Sequence, residues 1–165
     1  MNILYLHGLN GSLKPEKRNI LEAYGTVIAP SIDYQNNLNA IAWLYDTYKN
    51  KNIDIVIGSS MGGFAGFHLS KLFQVPALLF NPALAKRSVP QHIIETPQNN
   101  KTSIDIVLGA KDTVINPKDT LSFLGNGLSQ KQLYKLTILP DLEHRIPVAV
   151  FEEAVDLFMK KGDNQ

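Results

Sequence analysis

The sequence predicts an α/β fold of about six mostly parallel strands with helices on both faces. Short runs that are apolar throughout, and rich in β-branched and aromatic residues, alternate along the chain with longer stretches of helical apolar spacing. Fully apolar strands are typical of a sheet covered on both sides, and regular alternation of strands and helices favours parallel pairing. The 165 residues contain no internal repeat and no linker rich in Gly, Ser or Pro, so we expect a single domain over residues 1–165.

Each predicted element has a local signal. The runs expected to form strands are Asn2–His7, Thr26–Pro30, Asp54–Gly58, Ala77–Phe80, Ser103–Gly109 and Lys135–Leu139. The helical patterns between them are Pro15–Ala23, Asn39–Lys49, Met61–Phe73, Pro117–Leu124 and Pro147–Lys160. Pro15, Pro117 and Pro147 suit a first helical turn, because the missing N–H would have no intrahelical partner there. The segment Ala83–Thr102 is mostly polar and loop-like, with room for a short helix near Gln91–Glu95.

Composition excludes several classes of function. The formal net charge is +1 with no long run of one sign, which removes the main reason to expect a nucleic-acid or membrane-surface partner. The chain has no cysteine, which excludes disulfides, cysteine nucleophiles and thiolate metal sites. No apolar stretch has membrane-spanning length. The first residues, MNILYLHG, lack a basic lead and a cleavage-site pattern and read as a strand. We therefore expect a soluble, cytoplasmic protein.

The stretch Gly58-Ser59-Ser60-Met61-Gly62 lies at the joint between a predicted strand and a predicted helix. It matches G-x-S-x-G, the spacing of a nucleophile elbow. A strand-to-helix turn this tight forces its central residue into a strained conformation that presents the hydroxyl at the apex. Glycines two positions away avoid collisions with the neighbouring strand and helix. Ser60 is therefore the candidate nucleophile, and Ser59, which lacks the symmetric glycines, is interpreted as a packing residue.

Two partners for Ser60 follow it in the chain. A serine hydroxyl needs a base, and the base needs a third group to hold its tautomer. In folds with a nucleophile elbow of this kind, the triad residues follow one another along the chain as Ser, then Asp or Glu, then His, each after a later strand. Asp112 lies in the loop beyond the strand that ends at Gly109, and His144 lies in the loop after the last strand, ahead of Pro147. We expect these three residues to form a catalytic triad.

Other acidic and histidine residues are placed less well for these roles. Asp105 lies inside a strand pattern and Asp119 lies on a helix. Asp141 and Glu143 are too close to His144 in sequence to reach back and orient it. Of the other histidines, His7 is expected to shape the loop after the first strand. His68 is expected to pack or to meet solvent, and His92 to be exposed.

An oxyanion forming beside Ser60 needs N–H donors. The helix after the elbow aims free N–H groups at this position, so the Met61 N–H is one predicted donor. The second is expected from the loop after the first strand, where Gly8 permits a bend that brings the Leu9 N–H toward Ser60. That loop has neither G-x-G-x-x-G nor a P-loop lysine, which disfavours a phosphate cradle.

Five stretches, ILYLHGLNGS, VIGSSMGGF, FNPAL, GAKDTVI and EHR, together resemble the α/β-hydrolase superfamily, in particular the small YqiA-type bacterial esterases. The resemblance spans nearly the whole chain. It implies a compact, largely lid-free serine hydrolase that acts on acyl esters, with acyl-CoA thioesters among the candidates. The family pattern usually has phenylalanine and serines where this chain has Leu9, Gly11 and Ser12, which leaves the triad intact but affects the acyl pocket.

The sequence thus predicts an esterase that cleaves short acyl esters and needs no metal or organic cofactor. The chain is short for this fold and has no insertion large enough for a cap, so we expect an open site with a shallow acyl pocket. Three basic residues, Lys86, Arg87 and Arg145, are candidates for contact with an anionic substrate, although such side chains are more often simply solvated. The oligomeric state is not predicted.

Two alternatives to an esterase stay open. The same triad would serve an acyltransferase or a thioesterase, because the choice of acceptor depends on pocket shape. A non-catalytic, hydrolase-like binding protein is the other alternative, and Ser, Asp and His in catalytic order argue against it.

Overall fold

The computed structural model describes residues 1–95, 102–127 and 133–162. Within them, strands and helices follow one another as β1 (Asn2–Leu6), α1 (Pro15–Glu22), β2 (Thr26–Ile28), α2 (Ala40–Tyr48), β3 (Ile55–Ser59), α3 (Met61–Phe73), β4 (Ala77–Phe80), β5 (Ser103–Gly109), α4 (Pro117–Asn126), β6 (Leu133–Leu139) and α5 (Val148–Gly162). The strands form one sheet in the order β2-β1-β3-β4-β5-β6, and each neighbouring pair is parallel. The predicted α/β fold is confirmed.

The element boundaries lie within two residues of the predicted ones. Strand β2 ends at Ile28 instead of Pro30, and its pairing with β1 ends at the same residue, opposite Leu4. Strand β6 begins at Leu133 instead of Lys135, and its residues pair in register with β5 from Ser103 onward. The local apolar pattern therefore identifies each element but not its last pairing residue.

The short helix expected near Gln91–Glu95 is absent, and these residues form neither helix nor strand. The buried Gln91 amide instead accepts a hydrogen bond from the Ala40 N–H and donates to the carbonyls of Tyr34 and Asn37. These bonds join the segment to the start of α2 and to the residues before it. Residues 96–101, which complete the uncertain region, lie outside the described residues.

Strands β1, β3, β4 and β5 are covered on both faces, as their apolar runs predicted. The edge strand β6 departs from that expectation, because most of its residues are exposed. Side chains alternate along each strand, so Leu4 and Leu6 face one side while Ile3 and Tyr5 face the other. One apolar cluster joins the first set to α2, α3 and α4, and the second joins the other set to α1 and α5. The carboxyl ends of the parallel strands share one edge, where ligand sites of such sheets form.

The His68 side chain on α3 is buried and does not face solvent. Its ring lies edge-on to Phe64 and Phe67, with ring centres 4.8 and 5.4 Å away. Its Nε2 is buried with no hydrogen-bond partner in the described part of the chain. Burial, together with the positive charges of Lys71 and Arg87, lowers the pKa of His68 to about 4. The folded protein therefore holds a neutral histidine over a pH range in which the unfolded chain would be protonated.

We expect His68 to make stability depend on pH. The unfolded chain binds a proton at His68 near pH 6.5 and the folded protein only near pH 4, so this contribution is complete above pH 6.5 and is lost as the pH falls toward 4. Between about pH 7.5 and about pH 5 the loss amounts to about 2 kcal/mol. Chemical denaturation at both values should show a smaller decrease for His68→Leu than for the wild type. His92→Gln, which changes an exposed histidine, should keep the wild-type decrease; the same decrease in His68→Leu would contradict the assignment.

Candidate active site

Ser60 occupies the turn between β3 and α3 in a backbone conformation that few side chains adopt. Its φ is 54° and its ψ is −115°, which costs on the order of 1–3 kcal/mol for a residue other than glycine. The Ser60 N–H donates to the Phe80 carbonyl at 2.9 Å, and the Ser60 carbonyl accepts from the N–H groups of Phe64 and Ala83 at 3.0 and 3.1 Å. The Ser60 side chain makes no capping hydrogen bond to the helix. The surrounding main chain therefore maintains the strain and leaves the hydroxyl available.

Glycine is required on both sides of Ser60 because main chain packs against main chain there. A β-carbon on Gly58 would lie 2.3 Å from the Gly62 carbonyl oxygen, and a β-carbon on Gly62 would lie 2.0 Å from the Leu6 carbonyl oxygen. Real β-carbons do not approach other atoms closer than 3.0 Å. The strand, the elbow and the helix therefore meet only if both positions lack a side chain, which is the collision that the glycine spacing predicts.

Asp112 lies in the loop after β5, and its side chain is fully buried. Its Oδ1 accepts hydrogen bonds from the backbone N–H groups of Val114 and Ile115, both at 2.8 Å. Its Oδ2 lies 2.8 Å from Nδ1 of His144. The two backbone donors fix the direction in which the carboxylate faces the histidine ring.

His144 lies in the loop after β6 with one ring nitrogen toward Asp112. A carboxylate accepts hydrogen bonds and does not donate them, so Nδ1 carries the proton in this contact. In the neutral ring Nε2 then holds the lone pair and can take up a proton. The His144 side chain keeps 25% of its surface exposed, and it lines the same cleft as Ser60. The structure thus brings the three residues expected from the sequence to one edge of the sheet.

Asn81 positions the histidine loop, and the sequence alone does not single it out. It directly follows β4, is buried, and has a φ of 41°. Its Oδ1 accepts from the Gly109 N–H at 2.7 Å, and its Nδ2 donates to the carbonyls of Glu143 and His144 at 3.0 and 3.2 Å. Asn81 therefore ties the loop that bears His144 to the ends of β4 and β5. The available signal is an asparagine immediately after a buried strand, in the stretch FNPAL.

The loop after β1 comes close to Ser60. A β-carbon on Gly8 would lie 3.4 Å from Cβ and 3.9 Å from Oγ of Ser60. His7 shapes this loop: its Nε2 accepts from the Ile32 N–H at 2.9 Å, so its Nδ1 donates to the Gly8 carbonyl at 2.7 Å. The left-handed residue of the loop is Asn10, with a φ of 54°, and Gly8 has no positive φ. The expected bend at Gly8 is therefore corrected: Gly8 brings the loop close to Ser60, and Asn10 makes the turn.

One cleft of about 730 Å³ contains both Ser60 and His144. Its walls come from the loops that follow β1, β3, β4, β5 and β6. Leu9 and Met61, whose N–H groups are the expected oxyanion donors, also line it. Between β4 and β5 the described residues form neither a helix nor a strand, and Ala83, Arg87 and Ser88 of this segment line the cleft.

Three of the four acidic residues set aside on sequence grounds pair with lysines that do not line this cleft: Asp105 with Lys161, Asp119 with Lys86, and Asp141 with Lys111. The fourth, Glu143, precedes His144 in the same loop and lines a recess with it. His92 is exposed, and its Nδ1 lies 2.9 Å from Oδ1 of Asn39. Within residues 1–95, 102–127 and 133–162, no group of three His, Asp or Glu side chains is arranged to hold a metal ion. No helix in that part of the chain is long and apolar enough to cross a bilayer.

Comparison with protein families assigns the chain. Residues 2–123 match the model of an uncharacterised protein family, UPF0227. The chain belongs to this family. The match includes β1, the Ser60 elbow and the Asp112 loop, and it ends before the loop that carries His144. No curated protein matches the chain.

Solved structures share the fold at low sequence identity. Est1E from Butyrivibrio proteoclasticus superposes with a TM-score of 0.73 at 15% identity, covering 99% of this chain and 88% of its own. SOBER1 from Arabidopsis thaliana gives a TM-score of 0.70 at 15% identity, covering 96% and 99%. A Xanthomonas campestris protein assigned to the α/β hydrolase superfamily gives 0.69 at 18% identity, covering 97% of each chain. The predicted α/β-hydrolase fold is thus confirmed.

We expect Gly62→Ala to disrupt the elbow. The added β-carbon would lie 2.0 Å from the Leu6 carbonyl oxygen, so we expect a loss of about 3 kcal/mol or more in the free energy of unfolding. Gly125→Ala is the matched control, because a β-carbon there meets nothing within 4 Å and should stabilise α4 by up to about 1 kcal/mol. Chemical denaturation measures both. Equal stability of the two variants would contradict this account of the elbow.

Proposed function

We propose that the chain is a serine hydrolase that cleaves carboxylic esters through an acyl-enzyme intermediate. Ser60 is the nucleophile, His144 the general base and acid, and Asp112 the group that orients His144. The observation that carries the proposal is the 2.8 Å contact between Asp112 Oδ2 and His144 Nδ1, at the cleft that also contains the strained Ser60. A serine combined with an oriented histidine is the arrangement that activates a hydroxyl for acyl transfer.

In the acylation step, the Ser60 Oγ attacks the carbonyl carbon of the ester while Nε2 of His144 takes the hydroxyl proton. The tetrahedral intermediate then collapses, and the bond from the acyl carbon to the leaving oxygen breaks. His144 gives its proton to that oxygen, so the alcohol leaves neutral. Asp112 holds the Nδ1–H and stabilises the imidazolium that forms between the two proton transfers.

Deacylation repeats these steps with water. His144 takes a proton from a water molecule, which attacks the acyl carbon and releases the carboxylic acid, and the proton returns to the Ser60 oxygen. In both tetrahedral intermediates the N–H groups of Leu9 and Met61 stabilise the carbonyl oxygen as it becomes negative. One such donor contributes about 3–4 kcal/mol to the transition state. None of these steps calls for a metal or an organic cofactor.

The finer proposal concerns the acyl group, which we infer to be short. The apolar side chains that line the cleft with Ser60 include Leu9, Ala83, Val114 and Ile115. Val114 is 66% exposed, so this wall opens to solvent and covers only a few methylene groups. A thioester would follow the same steps with a thiol as the leaving group, and an alcohol in place of water would convert hydrolysis into acyl transfer.

Ser60→Ala should remove nearly all turnover of a short ester such as para-nitrophenyl acetate. By analogy with serine proteases, the rate should fall on the order of 10⁶-fold, because no other group can form the acyl-enzyme. Labelling by a fluorophosphonate should disappear in parallel. Ser59→Ala is the control for the neighbouring hydroxyl and should retain labelling and most of the activity. If labelling survives in Ser60→Ala and disappears in Ser59→Ala, the nucleophile is Ser59 and not Ser60.

Asp112→Asn should lower kcat by about 10⁴-fold, because an amide can donate to Nδ1 and favours the wrong histidine tautomer. Binding of ester should change much less, so the effect belongs in kcat and not in KM. Asp119→Asn is the control, since Asp119 pairs with Lys86 away from the cleft. Activity of Asp112→Asn within a few-fold of the wild type would show that another group orients the base.

A further inference from the structure

The lysine and arginine side chains that line the cleft around Ser60 have no acidic counterpart in its lining. Its lining includes four cationic side chains and no acidic one: Lys14, Lys17, Arg87 and Arg145. The whole chain has 16 lysines and arginines against 15 aspartates and glutamates, so the imbalance belongs to the site and not to the protein. A recess that adjoins the cleft beside Arg145 carries Glu143 and Lys111. The excess positive charge is therefore concentrated where a substrate would bind.

None of these four cations has a carboxylate within 4.0 Å in the described part of the chain, whereas several cations elsewhere do: Arg18 with Glu22, Lys49 with Asp46, Lys86 with Asp119, and Lys111 with Asp141. Lys86, a candidate for anion contact in the sequence, is thus paired outside the cleft. Unpaired cations in a cleft attract an anionic ligand and raise its local concentration.

Two of the four cations bond to, or belong to, the loop that carries His144. The Lys17 Nζ donates to the Ile146 carbonyl at 2.7 Å and lies 5.1 Å from the ring centre of Phe151. Arg145 directly follows His144 in the same loop. Burial lowers the pKa of Lys17, and a carbonyl contact alone does not neutralise its charge. Neither Lys17 nor Arg145 has a carboxylate within 4.0 Å among the described residues, whereas the Asp112 carboxylate is engaged with the base itself.

Arg87 approaches from a different part of the cleft, the loop after β4. Its guanidinium carbon lies 3.9 Å from the ring centre of Phe64, and its Nη1 donates to the Leu84 carbonyl at 2.9 Å. Its Nε is buried without a partner among the described residues. Arg87 is thus anchored by the protein itself, which separates it from the pair beside His144.

The proposed mechanism states which end of an ester lies next to His144. The histidine must give its proton to the leaving oxygen, so the leaving group lies within reach of Nε2. The acyl chain then extends away from this ring. Lys17 and Arg145 are thereby on the side of the leaving group.

We propose that the substrate carries a negatively charged oxyanion group on its leaving-group side, and that Lys17 and Arg145 bind this group. The inference rests on the proposed esterase function, because that function defines the two ends of the substrate. Cations matched to an oxyanion also add charge-assisted hydrogen bonds, which are stronger than neutral ones.

The first test compares para-acetoxybenzoate with para-acetoxybenzamide, which release phenols of nearly equal size and differ in charge. The wild type should favour the anionic ester in kcat/KM by about tenfold. Arg145→Gln and Lys17→Gln should each remove most of that ratio, which is measured within each variant and is therefore independent of its overall activity. Arg18→Gln and Lys49→Gln remove paired cations outside the cleft and should keep the wild-type ratio. If Lys17→Gln fails to fold, Arg145→Gln still decides.

A second pair of esters moves the charge to the acyl side: the phenyl monoester of terephthalic acid and its neutral amide analogue. We expect no preference for the anion here. A preference for this anion, lost in Arg87→Gln and kept in Arg145→Gln, would overturn the assignment to the leaving-group side. If the wild type hydrolyses the anionic and the neutral ester of each pair with equal kcat/KM, the proposal of an anionic substrate is wrong.

Binding separates this inference from the proposed function. Calorimetry with the Ser60→Ala variant should show that para-hydroxybenzoate binds about tenfold more tightly than para-hydroxybenzamide, and that adding Arg145→Gln removes the difference. Anion binding of this kind in a protein that hydrolyses neither ester would reject the esterase and keep the oxyanion site. Ser60-dependent hydrolysis with equal binding of the two phenols would keep the esterase and reject the oxyanion site.

Discussion

Helix α3 begins against the main chain of β1, with no side-chain atom between them at Gly62, where a β-carbon would lie 2.0 Å from the Leu6 carbonyl oxygen. The same closeness recurs one residue later, where a β-carbon on Gly63 would lie 2.9 Å from Cα of Pro82. This approach sets the angle at which α3 leaves the sheet, and hence the φ of 54° at Ser60. The strain at Ser60 is local, but the packing that maintains it extends over β1, β3 and the loop after β4.

That loop also connects the nucleophile with the proposed base. The Phe80 carbonyl and the Ala83 N–H bond to the main chain of Ser60, and between them the side chain of Asn81 bonds to the carbonyl of His144. Asp112 joins the assembly through His144 Nδ1. The proposed triad is thus held by one short stretch after β4 as well as by three separate loops, so a shift of this stretch would move the serine and the histidine together.

The contrast between local and long-range signals explains what the sequence predicts. Apolar periodicity is local, so it identifies strands and helices, and the glycine spacing around Ser60 is local too. The loops of Asp112 and His144 follow from strand order. The role of Asn81 depends on carbonyls 62 and 63 residues away, and no spacing in the sequence encodes such a contact. The same holds for the buried amide of Gln91, which lies in a polar, loop-like segment where the sequence left room for a short helix.

The sequence does not predict which charged side chains line the cleft, and those that do so constrain the proposed mechanism. Lys86 and Arg87 are adjacent in sequence, yet Lys86 pairs with Asp119 and only Arg87 lines the cleft. On the proposed mechanism His144 becomes positive during each half-reaction, in a cleft that is also lined by the cations of Lys17 and Arg145, and like charges disfavour that state. The buried carboxylate of Asp112 offsets this at Nδ1. An oxyanion on the leaving group would offset it at the two cations, so the substrate itself would complete the charge balance of the site during acylation.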